Sequence, residues 1–191
     1  SSDPVIYLEH RWLHNTHGAV PEEMYEVPIG KAKVIKEGSF VTLVASSYMT
    51  LEARKALLLV PDIDVELIDL RTIKPLDEET LIHSVKKTGR LIVVDGDWKL
   101  SGIAAEIICL VTEHCFTDLK EAPLRITLPD THTPTSWALA NHYYPDSYDI
   151  AIALLTLIGD TARAQDLHTQ MMNKRLTVPL DVPDSSFTGP F

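Results

Sequence analysis

The sequence is short of several things, and each shortage narrows the function. Only two of its 191 residues are cysteines, Cys109 and Cys115. They lie in one apolar helical run at a spacing that points them in different directions, so we expect two core thiols and no disulfide. Eight glycines occur, and none builds a G-x-G-x-x-G or Walker-type loop that would cradle a phosphate behind a strand. Basic residues are outnumbered, 17 against 27 acids, giving a formal net charge of −10. Phosphate binding needs a basic face, so no nucleic-acid partner is expected. A basic or lipoylated protein partner suits an acidic surface better. No apolar run is long enough to span a bilayer. The opening SSDPVIYLEH lacks the charged-then-apolar order of a leader. A cytoplasmic or organelle-matrix setting is the expectation.

What is present is a regular α/β pattern. The 45% apolar content supports a full core. Residues 1–30 form an arm: PVIYLEHRW reads as a strand without a neighbour in the chain, and the Pro- and Gly-punctuated stretch to Gly30 reads as a connector. Residues 31–160 alternate strands and helices. Strands are expected at 31–38 (an edge), 41–46, 65–72, 90–96 and 124–130. Helices are expected at 50–60 with Thr50 as cap, 77–89, 102–116 and 147–160. Asp77 reads as an N-cap with Glu78 and Glu79 in the first turn, and Gly89 as a stop. This alternation predicts a three-layer α/β sandwich around a mostly parallel sheet of about five strands. Residues 161–191 read as a helical segment followed by an extended, proline-rich tail.

The stretch VELIDLRTIKPLD (65–77) draws attention first. Its strand is apolar on both faces, as a central parallel strand requires. Its polar residues gather at the carboxyl end, where open α/β sheets dock ligands. Asp69, Arg71, Asp95 and Asp97 all fall at such ends. With Thr133 and Ser136 of the following loop they form a candidate anion or partner site. The competing reading is a structural ion pair between Asp69 or Asp77 and Arg71 that fixes the loop. Ser47 lacks the flanking glycines of a nucleophile elbow. His10, His14 and His17 have helical spacing for a metal, but Pro4 and Gly18 argue for an extended arm. His132, His142, Tyr143 and Tyr144 read as a packed loop. Glu106 and Glu113 share one solvent-facing stripe. No catalytic, cofactor-binding or metal-binding residue is assigned.

Several stretches together resemble one family: PVIYLEHRWL, VPEEMYEVPIGKAKV, VELIDLRTIKPLDEETLIHSVKKTGRLIVVDGDW, PDTHTPTSWAL and YYPDSYDI. In this order they resemble the C-terminal part of the β subunit of thiamine-diphosphate-dependent 2-oxoacid dehydrogenases, the E1 component. That part is a transketolase C-terminal domain, and the likeness covers roughly residues 4–158. It implies that PVIYLEH ends an upstream pyrimidine-binding domain and that the stretch to Gly30 is the interdomain linker. It implies a parent enzyme that oxidatively decarboxylates a 2-oxoacid and passes the acyl group to lipoamide, using thiamine diphosphate and magnesium held elsewhere. It further implies a homodimer, an E1 α subunit partner and a docked E2 acyltransferase. The chain departs from the family at Gly96, where an acid is common, in the KLSGIAAEI turn, and in the thirty or so residues after position 160.

Overall fold

The computed structural model describes residues 3–14, 16–178 and 180. In chain order they form β1 (Lys33–Lys36), β2 (Val41–Ala45), α1 (Tyr48–Leu59), β3 (Val65–Asp69), α2 (Glu78–Thr88), β4 (Leu91–Trp98), α3 (Ile103–Cys115), β5 (Leu124–Leu128), α4 (Trp137–Ala140), α5 (Ser147–Leu157) and α6 (Thr161–Arg175). The strands make one sheet in the order β1-β3-β2-β4-β5. All pairings are parallel except β1 with β3. This is the expected three-layer α/β sandwich.

The two-residue period of a strand builds both layers at once. Along β2, Val41, Leu43 and Ala45 enter one core with Ala53 and Ala56 of α1 and Ile150 and Leu154 of α5. Val44 faces the other way, into a core with Leu81 and Val85 of α2 and Ile107 and Val111 of α3. Each fully buried Leu or Ile contributes about 1.5–3 kcal/mol, so these faces fix the register. Thr42 is the polar member of the central strand. Its hydroxyl lies 2.7 Å from that of Ser84 and 2.8 Å from that of Thr88, so α2 is tied to the sheet by bonds as well as by packing.

Helix α2 follows its sequence signals. Asp77 accepts from the Thr80 N–H, Lys86 and Lys87 close the last turn, and Gly89 takes φ 73°, a conformation in which glycine carries no side-chain penalty. Helix α1 does not begin at Thr50. It starts at Tyr48, because Ser47 adopts φ 53° directly after β2 and turns the chain early. Thr50 lies inside the helix and donates its hydroxyl to Asp69 at 3.0 Å.

Two further differences follow from tertiary contacts. The arm residues Val5–Leu8 make no strand ladder; Ile6 is 85% exposed, and the arm closes in a single 3-10 turn at Arg11–Leu13. Without a partner strand its backbone has nothing to pair with. Cys109 lies on the exposed side of α3, whereas Cys115 is buried as expected. Helix α6 is separate from α5: Gly159 (φ 77°) breaks the path and Asp160 recaps it by accepting from the Arg163 N–H. Arg163 then grips Asp62 through two bonds of 2.8 Å. Most of the expected extended tail lies outside the described residues.

Candidate functional site

In this topology the chain leaves β2 toward β3 and leaves β4 toward β5, on opposite sides. The carboxyl ends of β2 and β4 therefore flank the switch point, where open α/β sheets place a crevice. A cleft of about 250 Å³ lies there. Ser46, Ser47 and Tyr48 line it from the β2 end, and Asp95, Gly96 and Asp97 from the β4 end. Glu52 of α1 and Asp146 before α5 complete its acidic wall.

The arm forms part of the rim. His10 stacks on Tyr48 with ring centroids 4.9 Å apart and planes 14° apart, and Trp12 meets the same ring edge-on at 5.3 Å. The Nδ1 of His10 accepts from the Trp12 N–H. Burial holds the His10 pKa below its ordinary value, because desolvation disfavours the charged imidazolium.

The chemistry of the cleft is decided by what its four carboxylates hold. Glu52 accepts from the Ser147 N–H at 3.0 Å and from the Lys55 ammonium at 2.9 Å. Asp95 accepts from the N–H groups of Ala104 at 3.0 Å and Asp97 at 3.2 Å. Asp97 accepts from the Trp98 N–H. Asp146 accepts from the Tyr148 and Asp149 N–H groups, completing a capping box with Asp149. Each carboxylate thus closes a helix start or a turn, where four backbone donors otherwise go unpaired. Burial raises the Asp95 pKa against these N–H bonds, with the Asp97 charge adding to the rise. Gly102 is required beside it: a Cβ there would meet the Trp98 carbonyl oxygen at 2.4 Å.

The six residues singled out from sequence do not converge. Asp95 and Asp97 line the cleft. Asp69 and Arg71 lie outside its lining and pair with one another at 3.4 Å. Asp77 joins Lys31 at 3.6 Å, not Arg71. Thr133 is 3.4 Å from the Tyr143 hydroxyl, and Ser136 precedes α4 without a side-chain cap bond. The Tyr143 hydroxyl accepts from the Trp98 indole N–H at 3.0 Å and donates to the Thr131 carbonyl at 3.2 Å, which packs this loop against β4. His14 pairs with Glu9 at 3.0 Å. Among the described residues no three His, Cys, Asp or Glu side chains are grouped to hold a metal ion.

Two cleft residues escape a reading of the sequence. Glu52 sits in an ordinary-looking helix, TLEARKALLLV, and its backbone partner at the start of α5 lies 95 positions later. Asp146 had a local signal: acids at 146 and 149 have the spacing of a capping box.

Residues 30–150 match the transketolase, C-terminal domain family. The pyruvate dehydrogenase E1 component subunit beta of Acholeplasma laidlawii is 48% identical over 145 residues, which are 74% of this chain and 44% of that protein. The acetoin:2,6-dichlorophenolindophenol oxidoreductase subunit beta of Bacillus subtilis (strain 168) is 38% identical over 164 residues, 84% of this chain and 48% of that protein. The chain therefore spans about half the length of the curated relatives it matches. A solved structure titled split gene transketolase, inactive beta4 tetramer, superposes with a TM-score of 0.59 at 24% identity, covering 74% of this chain and 45% of that one. That likeness is one of fold.

Proposed function

The chain belongs to the transketolase C-terminal domain family, and on that premise we propose that it is the assembly and partner-binding domain of a 2-oxoacid dehydrogenase E1 β subunit. The parent enzyme would oxidatively decarboxylate a 2-oxoacid and pass the acyl group to lipoamide. This domain would carry none of the reacting groups. The observation that supports the reading is the state of the switch-point carboxylates: Glu52, Asp95, Asp97 and Asp146 are all engaged with backbone N–H donors.

Thiamine diphosphate and magnesium do not fit the residues of this cleft. Magnesium takes oxygen ligands that are free to coordinate it, and a diphosphate takes a cradle of N–H donors or cations. At the cleft the carboxylates are engaged and the wall is acidic, so no step of the reaction is assigned to this chain.

Its partners in this reading are an upstream pyrimidine-binding domain, an E1 α subunit, a second copy of itself and an E2 acyltransferase, in the cytoplasm or the mitochondrial matrix. The exposed arm supports the first of these. Val5, Ile6, Tyr7 and Leu8 are between 60% and 85% exposed, and an extended apolar segment is stabilised by joining a sheet. Isothermal titration of the chain with thiamine diphosphate and Mg²⁺ tests the reading. No saturable heat that depends on Mg²⁺ is expected; tight binding that requires Mg²⁺ would overturn it. Supplying the pyrimidine domain with an α subunit should restore cofactor binding to the assembly.

A further inference from the structure

A second cavity, about 320 Å³, lies beside the edge strand β5, and its charge is opposite to that of the molecule. Lys99 follows β4, Arg125 comes from β5, and Arg175 comes from the last turn of α6; all three line it. Among the described residues Asp149 is the one carboxylate in the lining, and it is already paired with Arg175 at 2.5 Å. His142 adds a fourth nitrogen group at the rim.

Two features bear on what this cluster can hold. First, its outer cations are not neutralised. Lys31, Lys55, Arg71, Lys87, Arg90 and Arg163 each pair with a carboxylate, while, among the described residues, Lys33, Lys36, Lys74 and Lys120 are cations that do not. Lys99 and Arg125 make no ion pair among the described residues. The Arg125 guanidinium is instead steadied by donating to the Lys99 carbonyl at 2.9 Å, which fixes its orientation and leaves its charge uncompensated. In a chain of net charge −10, these two cations give the lining of one cavity a charge of the opposite sign. Second, the back of the cavity is held rigidly by an Arg175 whose charge is already balanced by two carboxylates, so the uncompensated positive charge lies with Lys99 and Arg125. Arg175 is only 7% exposed, and its guanidinium is clamped by Asp146 at 3.3 Å and Asp149 at 2.5 Å.

We propose that this cavity is an oxyanion-binding site that takes the phosphate group of a small phosphorylated ligand. A guanidinium fork and an ammonium converging from different elements match the oxygens of a phosphate. The volume suits a small metabolite, and Ile126, Leu128 and Pro129 supply an apolar wall beside the cations. The site depends on α6, which lies beyond the residues that match the family. It is independent of the assembly reading and stands or falls separately.

The test is thermal unfolding and calorimetry of the 191-residue chain with inorganic phosphate, pyrophosphate and citrate, at constant ionic strength. Saturable stabilisation by phosphate and pyrophosphate is expected. The double variant K99A/R125A should weaken it at least tenfold. Arg163→Ala, whose cation pairs with Asp62 away from the cavity, should leave it intact. Both variants alter exposed or half-buried side chains and should fold. Equal responses in the wild type and K99A/R125A, or no saturable response, would overturn the proposal. Saturable binding of citrate in place of phosphate would overturn the choice of phosphate.

Discussion

The Asp77 carboxylate accepts the Ala32 N–H at 2.9 Å, across 45 positions of sequence. The same carboxylate accepts from the Thr80 hydroxyl at 2.8 Å and caps α2. One buried acid therefore joins the incoming linker to the helix that covers the central strand. The Thr72 hydroxyl accepts from the Gly30 N–H at 3.1 Å and holds the linker one step earlier.

Asp77→Ala should destabilise the fold by about 1–3 kcal/mol, the sum of a lost cap and an unpaired buried donor. Urea unfolding measures this. Burial opposes ionisation of Asp77, but the bonds from Ala32 and Thr80 win and hold its pKa below 3.8. Its stabilisation is therefore fully present above about 3.8 and lost as pH falls through the lower folded value. In Asp77→Asn that loss between the two values should disappear. An unchanged acid transition would refute the assignment.

Thr42→Val removes the hydroxyl shared by Ser84 and Thr88 while keeping the shape. We expect a cost of about 1–2 kcal/mol. Because the three groups form one network, the double variant T42V/S84A should cost less than the two singles added together. Strict additivity would mean that the hydroxyls act independently.

Arg175→Met leaves Asp146 and Asp149 without their cation. A loss of about 2–4 kcal/mol is expected, since removing one partner strands the other charges. Hydrogen exchange should then show α6 opening ahead of the sheet. If α5 and α6 keep wild-type protection, the clamp does not hold α6.

Tyr48→Ala removes the ring on which His10 and Trp12 rest. The sheet should remain intact, because Tyr48 stands at the first position of α1. The arm should loosen, with trypsin cleavage after Arg11 several-fold faster than in the wild type. Equal cleavage rates would mean that the aromatic contact does not anchor the arm.

Much of the layered fold could be read from local pattern. The five strands, the helices α1, α2, α3 and α5, and the caps at Asp77 and Gly89 all follow from periodicity and end signals that act within a few residues. The start of α1 did not, because the left-handed turn at Ser47 has no glycine to announce it. The bulge between Val94 and Trp98, which carries β4 through Gly96, was equally silent.

The alternation of strand and helix, and with it which residues face each layer, is written in local pattern, because burial with a period of two or 3.6 is a property of neighbours in the chain. What the charged residues do is set by contacts between distant elements. Asp69 and Asp95 end strands alike in sequence, yet one pairs with Arg71 and the other closes the turn into α3. Glu52 and Asp146 meet around the start of α5, and Lys99, Arg125 and Arg175 gather around one cavity from three separate elements. A carboxylate or a guanidinium takes its role from the donors and charges within a few ångströms, and those arrive from residues far away in sequence.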